Sequence, residues 1–407
     1  MKPIAIITAT PPGINPGMLA GEAAARATLS RAGLLPQTTF FRLVTLEERL
    51  SAVGDGVGDV LGACDVGVRH VALTDPAILD DHVPLFWADF LHMRRYITAL
   101  AQGDPGREAA FRGVLLLADR PEATVRAAVS YGTSLLFNST ADDADPVYGP
   151  VLRRFLGAAG HVQMRDAISA VRVAGSRPTP AEACGIDPAQ LMALPDVAET
   201  VLAGVRPPAP AAGALVFFAR GQHRPDDVVG FVGELAAATG VGCRWLPWGD
   251  RLSFPFGEPA IWPWPTVDLP AGLAGGGVLP RLLAAIQGSR FVVTDTYHAA
   301  VSSWALGVPA VVLTGTYHDA ERAAKGVDLR VRVDKRTVLL AQDGLLDFCI
   351  EPSLIATAEG RTAVATRLAA TLMDGAIGPA FRAALAMRAA RSEESLLAAL
   401  DASMAPV

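Results

Sequence analysis

The sequence predicts an α/β protein: two Rossmann-like domains facing a cleft, with a C-terminal helix free to pack back on the first domain. Three observations carry that expectation. The chain has 407 residues, more than one hydrophobic core usually spans. Short β-rich runs alternate with longer Ala/Leu/Arg segments, the pattern of parallel sheets crossed by helices. The alternation breaks at VRPPAPAAG (205–213) and then starts afresh. Prolines cannot continue a helix, and together with alanine they suit a semi-rigid linker. The expected division is therefore a first domain over 1–204, a linker over 205–213, a second domain over 214–378, and a helix and tail over 379–407.

Each element has a local reason. Residues 4–8 (IAIIT) are an apolar run fit for a buried first strand. A Pro- and Gly-rich turn at 11–17 follows, then a helix over 19–32. Runs at 68–73, 113–117 and 134–138 read as further strands. Residues 81–102 carry aromatic and aliphatic side chains at three-to-four spacing, which predicts a helix. After the linker, 214–218 reads as a strand and 226–239 as a helix. A strand at 291–294 then leads through a polar turn to a helix over 298–306, and Gly307 precedes a strand over 308–313. Residues 379–400 read as an amphipathic helix of Ala, Leu and Arg.

Composition excludes several functions. Apolar residues are 51%, charged residues 19%, and the formal net charge is −6, so the basic stripe of a nucleic-acid-binding surface is not expected. No stretch reaches the roughly 18 apolar residues of a membrane span. The opening apolar run lacks the length and cleavage site of a signal peptide, so the expected location is cytoplasmic. Cys64, Cys184, Cys243 and Cys349 are scattered without a CxxC pair, which predicts neither a metal centre nor a disulfide framework. The acidic group Asp142, Asp143 and Asp145 reads as a solvated turn, and Arg94-Arg95 and Arg153-Arg154 as solvated helix faces. The tract 245–264 holds four of the six tryptophans and reads as a loop whose faces can stack on a sugar.

Ligands of open parallel sheets sit outside the carboxyl ends of the strands, so polar residues that follow strands carry the chemistry. The strongest segment is SRFVVTDTYHAAVSSWALGVPAVVL (289–313). It delivers Asp295, Thr296, Tyr297 and His298 to a strand end where a helix begins. Helix amide groups and dipole favour an anion there, and His298 suits a base for a hydroxyl nucleophile.

That segment resembles the C-terminal signature of the polysaccharide pyruvyl transferase family, in which a strand meets an Arg-Leu-His or Ser-Phe-His turn, a small-residue helix and a Gly-Val-Pro strand. Met164-Arg165-Asp166-Ala167-Ile168-Ser169 is similar to the family's Val-Arg-Asp-x-x-Ser element. Residues 194–198 stand where the family has an Asp-Pro-Ala segment. Phe218-Ala219-Arg220 resembles its second-domain strand ending in arginine. Gly13-Ile14-Asn15-Pro16-Gly17 resembles a Gly-x-Asn-x-Gly-Asp loop without the Asp. The resemblance implies a GT-B-like fold, no cofactor and no metal, and transfer of pyruvate from phosphoenolpyruvate to the hydroxyls of a sugar-like acceptor. It further implies His298 and Arg165 as catalytic residues, with Arg220, Lys325, Thr296, Tyr297 and Asp295 on the donor. Asn15 and Gly17 fall on the acceptor side. Arginine suits phosphate and carboxylate because its planar fork donates two parallel hydrogen bonds. Thr296 replaces an arginine found in part of the family, and His318 or Arg322 are the substitutes on offer.

Two other readings stay open. One is a glycosyltransferase of the same fold using a nucleotide sugar, with Glu258 or Asp268 holding a ribose. The other is a non-catalytic ligand-binding protein that closes on its hinge. A homo-oligomer is compatible with the sequence, which does not set the oligomeric state.

Overall fold

The computed structural model describes residues 2–8, 16–43, 67–68, 70–73, 75–176, 182–183, 186–202, 213–218, 224–248, 262–267, 278–314 and 334–405. The expected linker, save Gly213, lies outside them.

Two parallel sheets organise the chain. The first has the order β3-β2-β1-β4-β5-β6-β7, with β1 Ile4–Thr8, β2 Thr38–Leu43, β3 His70–Leu73, β4 Val83–Trp87, β5 Val129–Thr133, β6 His161–Met164 and β7 Glu182–Ala183. The second has the order β12-β11-β10-β8-β9, with β8 Ala214–Phe217, β9 Cys243–Trp245, β10 Val292–Thr294, β11 Ala310–Leu313 and β12 Cys349–Ile350. Both are doubly wound α/β sheets, so the expected two-domain class holds. β1 and β4 are buried at every position, as strands covered by helices on both faces must be.

Three expected elements differ. Residues 113–117 are not a strand: they include the end of the helix Pro105–Leu115, whose first turn Asp104 caps through Gly106 N and Arg107 N. An Asp before Pro is a strong helix start, and it outweighs the apolar run that follows. Residues 81–102 are not one helix but a turn, β4, a loop and the helix Arg94–Ala101. Pro84 sits inside β4, where proline removes a ladder donor and is uncommon. The strand expected at 134–138 is shifted, because β5 ends at Thr133.

The helices used below are α1 Pro16–Arg31, α2 Ala167–Ala174, α3 Tyr297–Ala305, α4 Lys335–Gln342 and α5 Ile377–Met404. The C-terminal helix α5 returns to the first sheet. Its Ser392 hydroxyl meets Tyr131 Oη at 2.8 Å, and Glu393 pairs with Arg31 at the end of α1. Leu385, Ala389, Leu396, Leu400 and Met404 are buried in one apolar cluster that also contains Ile4, Trp87, Val216 and Trp304. The two sheets therefore share a continuous apolar seam. Close approach at the seam is set by Gly307 and Gly378, since a Cβ on Gly378 would overlap the Gly307 carbonyl.

Candidate functional site

The carboxyl ends of both sheets meet around Arg165. β6 runs directly into it, and its amide donates to Thr133 O at 2.9 Å, extending the β5–β6 ladder by one residue. Asp166 then caps α2 by accepting from Ser169 N at 2.8 Å. The Arg-Asp-x-x-Ser string thus has a structural reason: aspartate and serine fix the turn that holds the arginine in place.

Arg165 is buried with its partners around it. Its Nη1 donates to Asp187 Oδ2 at 3.1 Å and lies 3.5 Å from Asp89 Oδ1. The guanidinium carbon stands 4.8 Å from the Phe90 ring centroid and 5.2 Å from that of Tyr297. Burial opposes its charge, but Tyr297, Asp187 and Asp89 outweigh burial and raise its pKa. Burial would likewise raise the Asp187 carboxyl, yet Arg165, followed by His298, holds it below the ordinary carboxylate range. Tyr297 Oη also donates to Asp187 Oδ2, at 3.1 Å. Arginine and tyrosine come from different sheets, so one carboxylate joins the two domains.

Local backbone conformation places both carboxylates. After β4, Ala88 and Asp89 adopt φ of 67° and 53°, a left-handed pair that costs on the order of 1–2 kcal/mol per non-glycine residue. The curl is held by Ala88 N to Tyr131 O at 2.9 Å and Ser134 N to Asp89 O at 2.8 Å. Strain of this kind concentrates at functional sites. Asp187 opens a short helical turn, with its carboxylate accepting from Ala189 N and the Gln190 side chain reaching back to its own amide. That turn packs on Gly132, a β5 residue with φ of 64° beside a register shift, where a Cβ would overlap Pro188.

His298 enters from the second sheet. Asp295 follows β10, no side chain caps α3 at Thr296, and His298 is the second residue of the helix. It presses on α1 across the cleft: a Cβ on Gly17 would overlap the imidazole. Burial, then the charge of Lys335, lowers the imidazole to about 4, so it is neutral at pH 7. The chamber in front of it holds about 360 Å³ of empty space counted to its open mouth. Its walls include Thr8, Gly17, Glu22, Trp87, Asp89 and Asp187. Glu22 Oε1 accepts from Thr8 Oγ1 at 2.8 Å and meets His70 Nε2 at 3.0 Å.

Of the residues singled out from sequence, Gly17, Arg165, Asp295, Thr296, Tyr297 and His298 converge here. Asn15, Arg220 and Lys325 lie outside the described residues, as do His318, Arg322, Glu258 and Asp268. The lysine that the structure brings to the cleft is Lys335, at the start of α4. Its Nζ is 4.7 Å from the Tyr297 ring centroid and 5.4 Å from that of Phe90. Asp295 is anchored from behind, because Arg336 donates to its carbonyl as well as to Asp334. Asp89, Asp187, Glu22, Trp87 and Lys335 were missed. Asp187-Pro188-Ala189 is itself an Asp-Pro-Ala string, earlier in the chain than the 194–198 segment matched to it. The acidic turn Asp142–Asp145 is part-exposed, as expected, and its carboxylates face arginines: Arg94 pairs with Asp142 and Asp145, and Arg172 with Asp143. Among the described residues no His/Cys/Asp/Glu group could hold a metal ion, and no helix is long and apolar enough to cross a membrane.

No protein-family profile and no curated protein matches the chain. Solved structures do align with it. The UDP-GlcNAc 2-epimerase of Neisseria meningitidis bound to UDP-GlcNAc is 12% identical, with 92% of this chain and 100% of that chain covered at a TM-score of 0.44. Phytolacca americana UGT2, in complex with UDP-2-fluoro-glucose and pterostilbene, is 13% identical over 97% and 94%, at 0.42. A UDP-N-acetylglucosamine 2-epimerase assignment from Listeria monocytogenes is 12% identical over 90% and 95%, at 0.43. These likenesses concern the two-domain α/β arrangement and assign no activity.

Proposed function

We propose that the protein is a glycosyltransferase that moves a sugar from a nucleotide-linked donor onto a hydroxyl acceptor, with His298 as the general base. The observation that carries this reading is the chamber in front of His298. Its polar wall is built from Thr8, Glu22, Asp89, Asp187 and Arg165, and Met18 and Trp87 add apolar atoms. Carboxylates accept hydrogen bonds from hydroxyl groups. The three carboxylates outnumber Arg165, which Asp187 and Asp89 already pair, so the wall disfavours phosphate. An uncharged polyhydroxyl ring suits such a chamber.

A neutral imidazole is ready to take the proton of the attacking hydroxyl, a contribution of about 10²–10⁴ in rate. The conjugate acid then lies near Asp187, whose negative charge favours it. A phosphate leaving group belongs on the side of α3, where the uncapped helix start at Thr296 follows β10.

A second reading, pyruvyl transfer from phosphoenolpyruvate to the same hydroxyl, draws support from the cations Arg165 and Lys335 beside His298. Thermal unfolding with UDP-, GDP- and ADP-linked sugars and with phosphoenolpyruvate separates the two. A ligand that binds only the folded state at a hundredfold excess over Kd stabilises it by about 2.7 kcal/mol. A rise in Tm with a nucleotide sugar supports glycosyl transfer. A rise with phosphoenolpyruvate that neither inorganic phosphate nor succinate reproduces, and no rise with any nucleotide sugar, overturns it in favour of pyruvyl transfer.

A further inference from the structure

A second chamber, which shares Arg165 with the first, is not used by the proposed reaction. The space between its walls is about 220 Å³ with the open solvent at its mouth included, and it is lined by Leu136, Arg165, Asp166, Tyr297, Lys335, Val338 and Gln342. Three of its polar groups are already engaged. Arg165 is held by Asp187 and Asp89. Asp166 accepts from Ser134 Oγ at 2.7 Å, Ser169 N at 2.8 Å and Ser169 Oγ at 2.9 Å. Tyr297 donates to Asp187.

Two groups are left over. Lys335 Nζ rests between the Phe90 and Tyr297 rings, and among the described residues no hydrogen bond or ion pair holds it. The buried side-chain oxygen of Gln342 has no hydrogen-bond partner among the described residues either. The oxygen and nitrogen of a glutamine amide exchange places by a flip, so the same side chain can present its N–H groups to the chamber. An ammonium between aromatic faces gains from the ring quadrupoles, but that leaves its N–H donors short of oxygen acceptors. An unpaired, partly buried cation beside an unpaired amide costs stability unless something completes it.

We infer that the second chamber is an oxyanion subsite, in which Lys335 takes a carboxylate or phosphate group with the Gln342 amide beside it. The apolar Leu136 and Val338 walls limit the ligand there to a small or narrow anionic group. Burial lowers the Lys335 pKa; Asp89 and, less strongly, Asp334 oppose that, and Arg165 adds to it. The inference does not depend on the transfer reading, because its test needs no turnover.

The chain has three lysines, Lys2, Lys325 and Lys335, so trace acetylation of the whole protein read by mass spectrometry resolves each one. The probes are inorganic phosphate and succinate, with sodium chloride at matched ionic strength as reference. Only unliganded protein reacts, so a probe at about four times its Kd slows Lys335 acetylation about fivefold, while Lys2 is unchanged. Protection by phosphate or by succinate says which oxyanion fits. Protection by neither, or equally by chloride, overturns the inference. Gln342→Leu, checked as folded by circular dichroism, is expected to raise the concentration needed for half protection severalfold. Unchanged protection in that variant overturns the assignment to this chamber.

Discussion

The two chambers that share Arg165 are built on opposite terms. In the first, charges are matched: Asp187 joins Arg165 to the Tyr297 hydroxyl across the domain boundary, and Asp89 stands 3.5 Å from the same guanidinium without a hydrogen bond. In the second, Lys335 and Gln342 are left without polar partners among the described residues. Matched charges join the sheets. Unmatched ones wait for a ligand. The difference lies in the cations: Arg165, which the resemblance puts forward as catalytic, has its charge matched by Asp187 and Asp89, while Lys335 at the start of α4 has no such partner among the described residues.

The comparison breaks most visibly at Asp187. Asp187→Ala leaves Arg165 buried without its hydrogen-bonded partner, and loss of one partner of a buried pair costs about 3–5 kcal/mol. Urea denaturation should show a loss of that size. Gly17→Ala forces a methyl group into the His298 ring, an overpacking worth about 1–3 kcal/mol. It should also abolish any ligand-induced rise in Tm, because the imidazole must leave its chamber.

pH sharpens the same contrast. His298 and His92 are both lowered by burial to about 4 in the fold, against 6.5 in the unfolded chain. His92 is fixed by the Leu115 carbonyl at 2.8 Å and Ser130 Oγ at 2.9 Å. Between those values the unfolded state binds more protons, so stability is fully present above about 6.5 and falls as pH drops toward 4. Denaturation midpoints at pH 7 and pH 5 should differ in that sense, and His92→Gln should reduce the difference. Tyr131→Phe removes the hydroxyl contact to Ser392 and should cost about 0.5–1.5 kcal/mol. Lys335→Met should cost least of all, or even stabilise, since it removes a desolvated charge that has no hydrogen bond or ion pair among the described residues. A loss as large as that of Asp187→Ala would mean that Lys335 too is a structural tie.

Much of the fold was legible because buried parallel strands are apolar runs with turns between them: β1, β8, β10 and β11 all stood out. β4 did not, because Pro84 sits inside it and aromatic residues at helical spacing follow. Part of the site was legible for the same reason that the strands were. His298, Tyr297 and Arg165 come directly after strands, where ligands of such sheets bind. Asp89 depends on a left-handed turn after a strand that had been hidden, and Asp187 on a close approach at Gly132. Their pairing with Arg165 is a tertiary event with no local signature. Lys335 carried one faint signal, its type being so scarce in the chain.

His298, in the proposed reaction, acts on an acceptor hydroxyl in the chamber that it lines with Arg165. That role is tested most directly by measuring kcat and the donor's binding in wild type and His298→Ala, using whichever donor stabilises the protein. The account predicts a kcat lower by about 10²–10⁴ with donor affinity kept. It also predicts a wild-type rate that falls as pH drops through the lowered imidazole pKa near 4. Undiminished turnover in His298→Ala would contradict it.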